Sequence, residues 1–173
     1  MLTQKEVGRK GQFAVRDDVI RLPSGDEVGY VVVINPDSVF VVPHFENGDT
    51  LLVRQWRHAW DASSWEVPAG TLARGEDPRE GALRELEEET GFRAERLRAL
   101  GVAHGAAILT GTAHMYLAEG LNEAKQHLEP YEQDMEVMRL PLAEALEAAL
   151  SGDIAHSTSV TSLARAARAL KLI

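Results

Sequence analysis

The chain has 173 residues, a formal net charge of −9 and no cysteine. That length suits one catalytic domain with an elaboration, burying about 70% of its unfolded surface, and the missing thiols exclude disulfides and thiolate metal sites and fit a cytoplasmic protein. The acidic balance argues against a general nucleic-acid binder, no run reaches the roughly 18 apolar residues of a membrane helix, and the amino terminus lacks the apolar core of a signal peptide.

Taken in order, the first third reads as strands. Residues 13–22 form one, the turn-like Pro23-Ser24-Gly25-Asp26 follows, and the β-branched run 28–34 forms the next. Pro36-Asp37-Ser38 marks a boundary. Residues 39–45 and 50–57 flank Glu46-Asn47-Gly48-Asp49, a strong hairpin signal through Asn-Gly. Residues 64–67 make a short strand that runs into the turn Pro68-Ala69-Gly70. After one central helix, strands are expected at 95–103, 113–119 and 135–140. Two helices close the chain, at 142–150 and about 157–170, the second capped by Ser157 or Thr158. Strands interleaved with three helices indicate an α/β domain with helices covering a mixed sheet. Residues 1–36 are too few to build a strong core alone and must pack on the main domain, 37–173, or on another subunit.

The central helix carries the chemistry. Asp77 is a natural N-cap, Pro78 suits the first helical position, Glu80 completes a capping box, and Gly91 supplies the left-handed stop. Ala82, Leu83 and Leu86 form the stripe that docks on a core. Glu85, Glu88 and Glu89 are related by three- and four-residue steps and share another face. Like charges at that spacing cost roughly 0.2–0.5 kcal/mol per pair, and they sit at the negative end of the helix dipole. Arg84 can pair with Glu88, which offsets part of the repulsion. A divalent cation would remove the rest, and Mg²⁺ suits hard oxygen ligands that leave room for waters and phosphates. A solvated acidic face is the alternative. Gly81 lies four residues before Glu85, either to keep ligands unobstructed or as a tolerated helix glycine.

The whole spacing is more specific. Gly70, Glu76, Arg84-Glu85-Leu86, Glu88-Glu89 and Gly91-Phe92 stand at the offsets of the Nudix box, and every defined position is filled. The chain thus resembles the Nudix hydrolases. That resemblance implies an αβα sandwich with a mixed sheet, and hydrolysis of a nucleoside diphosphate linked to another moiety with Mg²⁺ or Mn²⁺ on Glu85, Glu88 and Glu89. It further implies the backbone carbonyl of Ala69 as a ligand, and Arg84, tied to Glu76, as a group that positions the glutamates.

The order of LPSG, VVVINPDSVFVVP, LLVRQWR, WEVPAG and SGDI is similar to the ADP-ribose pyrophosphatase branch. In that branch the amino-terminal strands, here residues 1–36, form a domain-swapped homodimer and help build the adenosine pocket. The general base is usually a glutamate at the position of Gln133, so its flanking acids Glu132 and Asp134, or a box glutamate such as Glu85, are the candidates. A second departure falls at residues 104–112, HGAAILTGT, which lack that branch's proline and acid; glycine and alanine there suggest a roomier pocket or a mobile flap.

Substrate contacts are expected from Arg57, whose three-residue spacing from Arg54 puts the two on opposite faces, and whose fork can pair with phosphates. Trp56, Trp60 and Trp65 can stack a nucleobase, although Trp65 also reads as core. Glu66 can accept from an adenine amino group or stand as a plain surface residue, and His104 and His114 can touch phosphate or ribose. The leading activity is cleavage of ADP-ribose to AMP and ribose 5-phosphate. Other diphosphates (FAD, NADH, GDP-mannose, a free nucleoside diphosphate) and a nucleotide sensor without catalysis are the alternatives.

Overall fold

In the computed structural model, which describes residues 1–128 and 134–173, the strands sort into three sheets. The first is an antiparallel meander of β1 (Thr3–Lys10), β2 (Phe13–Arg21) and β3 (Glu27–Ile34). The second, in the order β7-β4-β9-β8, holds β4 (Ser38–His44), β7 (Ala69–Thr71), β8 (Phe92–His104) and β9 (Thr112–Glu123). The third pairs β5 (Asp49–Arg57) with β6 (Ala62–Glu66) on one side and β10 (Glu136–Pro141) on the other.

The second sheet is mixed: β4 runs parallel to β9 and antiparallel to β7. Helix α1 (Pro78–Thr90) covers one face, and α3 (Ser157–Ala169) the other, with α2 (Leu142–Ser151) against α3. This is the expected αβα sandwich. Strand β4 explains why: Val39 and Val41 join Leu72, Ala82 and Leu86 under α1, while Phe40 and Val42 join Met115, Leu163 and Ala166 under α3. A strand buried on both faces needs an unbroken apolar run, which VFVV supplies.

Three details depart from the sequence reading. The Asn-Gly turn forms, with Phe45 N–H donating to the Asp49 carbonyl and Gly48 N–H to the Phe45 carbonyl, yet its flanks do not pair as a hairpin. They splay, β4 to one sheet and β5 to another. Strand β1 was not anticipated, because its eight residues are all exposed and carry no alternation. The N-cap of α3 is His156, which makes no side-chain cap bond, rather than Ser157 or Thr158.

Segment 105–111 is docked on β3 rather than standing off as a flap. Ile108 accepts from Val33 N–H at 2.8 Å, Thr110 N–H donates to the Val33 carbonyl, and Asn35 Oδ1 accepts from Thr110 and Gly111 N–H. Gly111 is required there, since a Cβ would collide with the Asn35 amide and the Pro36 carbonyl.

Gly81 faces neither open space nor the acidic side chains of the helix's ligand face. A Cβ there would collide with Leu72 Cδ2 and lie 3.3 Å from Glu76 Cδ. Gly81→Ala should therefore cost about 1–3 kcal/mol by overpacking, where a solvated helix position would gain about 1 kcal/mol. Denaturant melts compare the two signs directly.

Candidate active site

The start of α1 is fixed by Asp77, whose carboxylate accepts from Arg79 N–H at 2.9 Å and Glu80 N–H at 3.3 Å. The end is fixed by Gly91, in the left-handed region at φ 71°. Beyond β9 the chain returns to brace that end: Ala124 N–H donates to Gly91 O, Gln126 Nε2 to Glu89 O at 2.6 Å, and His127 N–H to Glu88 O at 3.0 Å. Carbonyls that a helix terminus leaves without intrahelical donors are thereby bonded.

Between these ends lie the acidic groups. Glu89 is fully buried; its Oε1 accepts from Gln55 Nε2 and its Oε2 from Ala69 N–H, both at 2.9 Å. Glu85 is nearly buried, and Glu88 is half-buried. One guanidinium serves three carboxylates: Arg84 bonds Glu76 at 2.8 Å, Glu85 at 2.8 Å and Glu88 at 2.9 Å. The Glu76 hydrogen bond, then the charge of Glu85, push the Arg84 pKa upward against its burial, so it is a permanent cation. In return Arg84 holds the Glu76 carboxyl below its usual value.

Among the described residues, no three acidic or imidazole groups close into a metal cage, because Arg84 stands between Glu85 and Glu88. The donor set still fits a divalent ion. Its oxygens are hard, it opens on a cleft of about 540 Å³, and Gly70 leaves the approach to Glu85 clear, since a Cβ there would fall on the Glu85 carboxylate. An open, half-filled set is what an ion that keeps its waters and phosphates requires. Ala69 belongs to this wall. The β4–β7 bonds flanking it, Val41 N–H to Pro68 O and Leu72 N–H to Asp37 O, place it at a non-bonded ladder position. Its N–H and carbonyl therefore both turn from β4 toward α1.

The same cleft is lined by Trp56, Arg57, Arg84, Glu85, Glu88 and Asp134. Arg54 is elsewhere, paired with Glu136 at 2.9 Å. Asp134 is exposed at the rim; Glu132 and Gln133 lie outside the described residues. His104 and the rest of segment 104–112 line neither this cleft nor the adjoining one. His104 sits exposed at the end of β8, and His114 pairs with Asp37 at 3.4 Å.

Two substrate contacts expected from sequence, Glu66 and Arg57, are bonded to each other. Glu66 is neither a surface residue nor open to an adenine: it is fully buried, bonded to Arg57 Nε and Nη2 at 2.8 and 2.6 Å and lying 2.9 Å from His156 Nδ1. Arg57 lines both clefts, with its Nε and Nη2 bonded to Glu66. Burial alone would raise the Glu66 carboxyl; Arg57 first and His156 second outweigh it and hold the pKa at about 2.

A second cleft of about 460 Å³ adjoins the first across Trp56, Arg57 and residues 69–71, and is walled by Phe40, Trp60 and His156. Trp56 and Trp60 are 57% and 51% exposed, whereas Trp65 packs against the core. Sequence reasoning missed Gln55, Gln126 and His156. Only Gln55 carried a signal: two residues from Arg57, it shares that residue's face of β5.

Residues 34–159 match the NUDIX domain family. An ADP-ribose pyrophosphatase of Mycobacterium tuberculosis is 35% identical over 151 residues, covering 86% of this chain and 73% of that protein. A methanol dehydrogenase activator of Bacillus methanolicus is 35% identical over 133 residues, covering 75% and 71%. The crystal structure of an ADP compounds hydrolase superposes with a TM-score of 0.87 over 98% of this chain and 92% of that one, at 23% identity, a likeness of fold. Nudix hydrolases generally use divalent metal ions, in keeping with the oxygen donors on α1. With the family match spanning most of the chain, and Glu85 and Glu88 lining one cleft with Glu89 buried on the same helix, this protein belongs to the Nudix family of pyrophosphohydrolases.

Proposed function

We propose that this protein hydrolyses the diphosphate of a nucleoside diphosphate sugar in the presence of Mg²⁺ or Mn²⁺, with ADP-ribose as the leading substrate and AMP and ribose 5-phosphate as products. The observation that carries this reading is the adjacency of the two clefts. Oxygen ligands line one, exposed tryptophans line the other, and the two share the wall formed by Arg57 and residues 69–71. A phosphate chain in the first would leave its nucleoside in the second.

A bound divalent ion would neutralise diphosphate oxygens and acidify a water. Glu85, Glu88, Glu89 and the Ala69 carbonyl are the groups that would hold it. Arg84 keeps Glu85 and Glu88 in place, and Gln55 does the same for Glu89. Arg57 adds positive charge to the wall while fixed by Glu66. Asp134, at the rim, is a described acid able to take the proton of the attacking water, with Glu132 beside it in sequence. Asp134→Asn should lower kcat by about 10²–10⁴ and flatten the acidic limb of the rate profile. Unchanged kcat would move the base to Glu132 or to a box glutamate.

The amino-terminal sheet supports a homodimer. Val7, Phe13, Val15 and Val31 are all exposed on it, a large apolar area for a monomer, and Gln12 at its first turn reaches the first cleft. A cytoplasmic location accords with the absence of cysteine, and no helix of the described residues is long and apolar enough to cross a membrane. Segment 104–112 lines neither cleft, which favours testing other diphosphates alongside ADP-ribose. A hydrolysis panel of ADP-ribose, FAD, NADH, GDP-mannose and ADP, with products identified, tests the assignment. A higher kcat/KM for another member would replace ADP-ribose.

A further inference from the structure

His156 belongs to no part of the hydrolytic machinery, yet it is one of the most constrained side chains bordering the clefts. Its ring packs against both Phe40 and Trp60, with centroids 5.6 and 5.7 Å away and tilts of 48° and 51°. Its Nδ1 lies 2.9 Å from Glu66 Oε2 and 2.9 Å from Ser159 Oγ. Ser159 Oγ in turn accepts from Val67 N–H at 3.1 Å, and both Glu66 and Ser159 are fully buried. One edge of the imidazole is thus bolted to the interior. The side chain is 18% exposed, and with Nδ1 turned inward that exposure falls on the opposite edge, which borders the aromatic cleft.

The bonding partners also settle the tautomer. Glu66 takes two N–H groups from Arg57, so it acts as a carboxylate, which can only accept. An imidazole nitrogen 2.9 Å from such an oxygen must carry the proton. Nδ1–H therefore donates inward, and in the neutral ring Nε2 is left as an acceptor.

We propose that His156 is a specificity-determining residue: its Nε2 accepts a hydrogen bond from the exocyclic amine of a 6-aminopurine stacked on Trp60 or Trp56 in the second cleft. The proposal rests on the reading of the two clefts as one nucleoside diphosphate site. Two exposed indoles beside a fixed acceptor suit a flat heteroaromatic ligand. A 6-amino group presents a donor to that acceptor. A 6-keto group would present a lone pair instead and be rejected. The discrimination comes from Glu66 acting at a distance, since it chooses which nitrogen bears the proton.

The test is a titration of AMP and of IMP, read by quenching of tryptophan fluorescence. The wild type should bind AMP about tenfold more tightly than IMP, the effect of one hydrogen bond made against one opposed. His156→Phe keeps the ring stack and should bring the ratio near one. Glu66→Gln keeps the shape of the buried group but removes the carboxylate that holds the ring proton on Nδ1, and should shrink the AMP preference. A residue with a merely packing role would not move this ratio. Equal affinities in the wild type, an undiminished AMP preference in His156→Phe, or no quenching by either nucleotide overturns the proposal. ADP-ribose hydrolysis is measured on the same samples. Hydrolysis without AMP preference removes this inference alone, and AMP preference without hydrolysis of any diphosphate removes the catalytic reading alone.

Discussion

Glu89→Gln should lower turnover of ADP-ribose by about 10²-fold or more while the protein stays folded. The side chain is fully buried, with one oxygen accepting from Gln55 and the other from Ala69 N–H. Glutamine preserves the volume. It removes the negative charge, and it sets an amide N–H₂ against one of those two donors. A lost or misaligned ligand disorders ion and water together, and disturbing even supporting groups costs 10- to 100-fold. Steady-state kcat with Mg²⁺, together with a calorimetric Mg²⁺ titration, measures both consequences. Turnover close to that of the unaltered protein would remove Glu89 from the ligand set.

Glu66→Ala should be the most destabilising change near the clefts. It leaves the Arg57 guanidinium and the His156 imidazole facing a void that their partner filled. Breaking a buried pair from one side costs about 3–5 kcal/mol. Arg57 remains a third exposed, so the lower end applies, and about 3 kcal/mol corresponds to a fall in Tm of roughly 6–12 °C. The effect should depend on pH with a definite sign. The folded carboxyl is held at about 2 against an ordinary 4.5, so its stabilisation is complete above pH 4.5 and disappears as the pH falls through about 2. That difference is worth about 3 kcal/mol. Melting the wild type and the variant side by side should show their gap closing across that acid window. A gap of constant size from pH 7 to pH 2.5 would mean that packing, not charge, sets the cost.

Helix α1 was legible because its signals are local and redundant: a cap at Asp77, a stop at Gly91, an apolar stripe and acids at fixed steps agree with one another. Interleaved strands and helices indicated an α/β domain and the Nudix resemblance implied the sandwich; the unbroken apolar run of β4, which allows no solvent-facing side, is the physical reason it forms. The splayed β4–β5 turn was not legible, because Asn-Gly specifies a reversal of the chain and says nothing of which sheet each arm joins. Strand β1 offered no pattern, being exposed throughout. The burial of Glu66 was hidden for a similar reason. A lone glutamate in a strand reads as surface, and its partners stand 9 and 90 residues along the chain. The docking of segment 105–111 depends on Asn35 and Gly111 fitting one another, a contact that composition alone could not show.

The three bonds from residues 124–127 to the far end of α1 bear on how catalysis keeps its geometry as the molecule breathes. Residues 124–127 are moored to the very helix that carries Glu85, Glu88 and Glu89. A rigid drift of that helix would tow the mooring with it, and the last turn, which carries Glu88 and Glu89, would keep its carbonyl partners. Inserting or deleting a residue between Ala124 and His127 would break that match while leaving the three glutamates chemically intact.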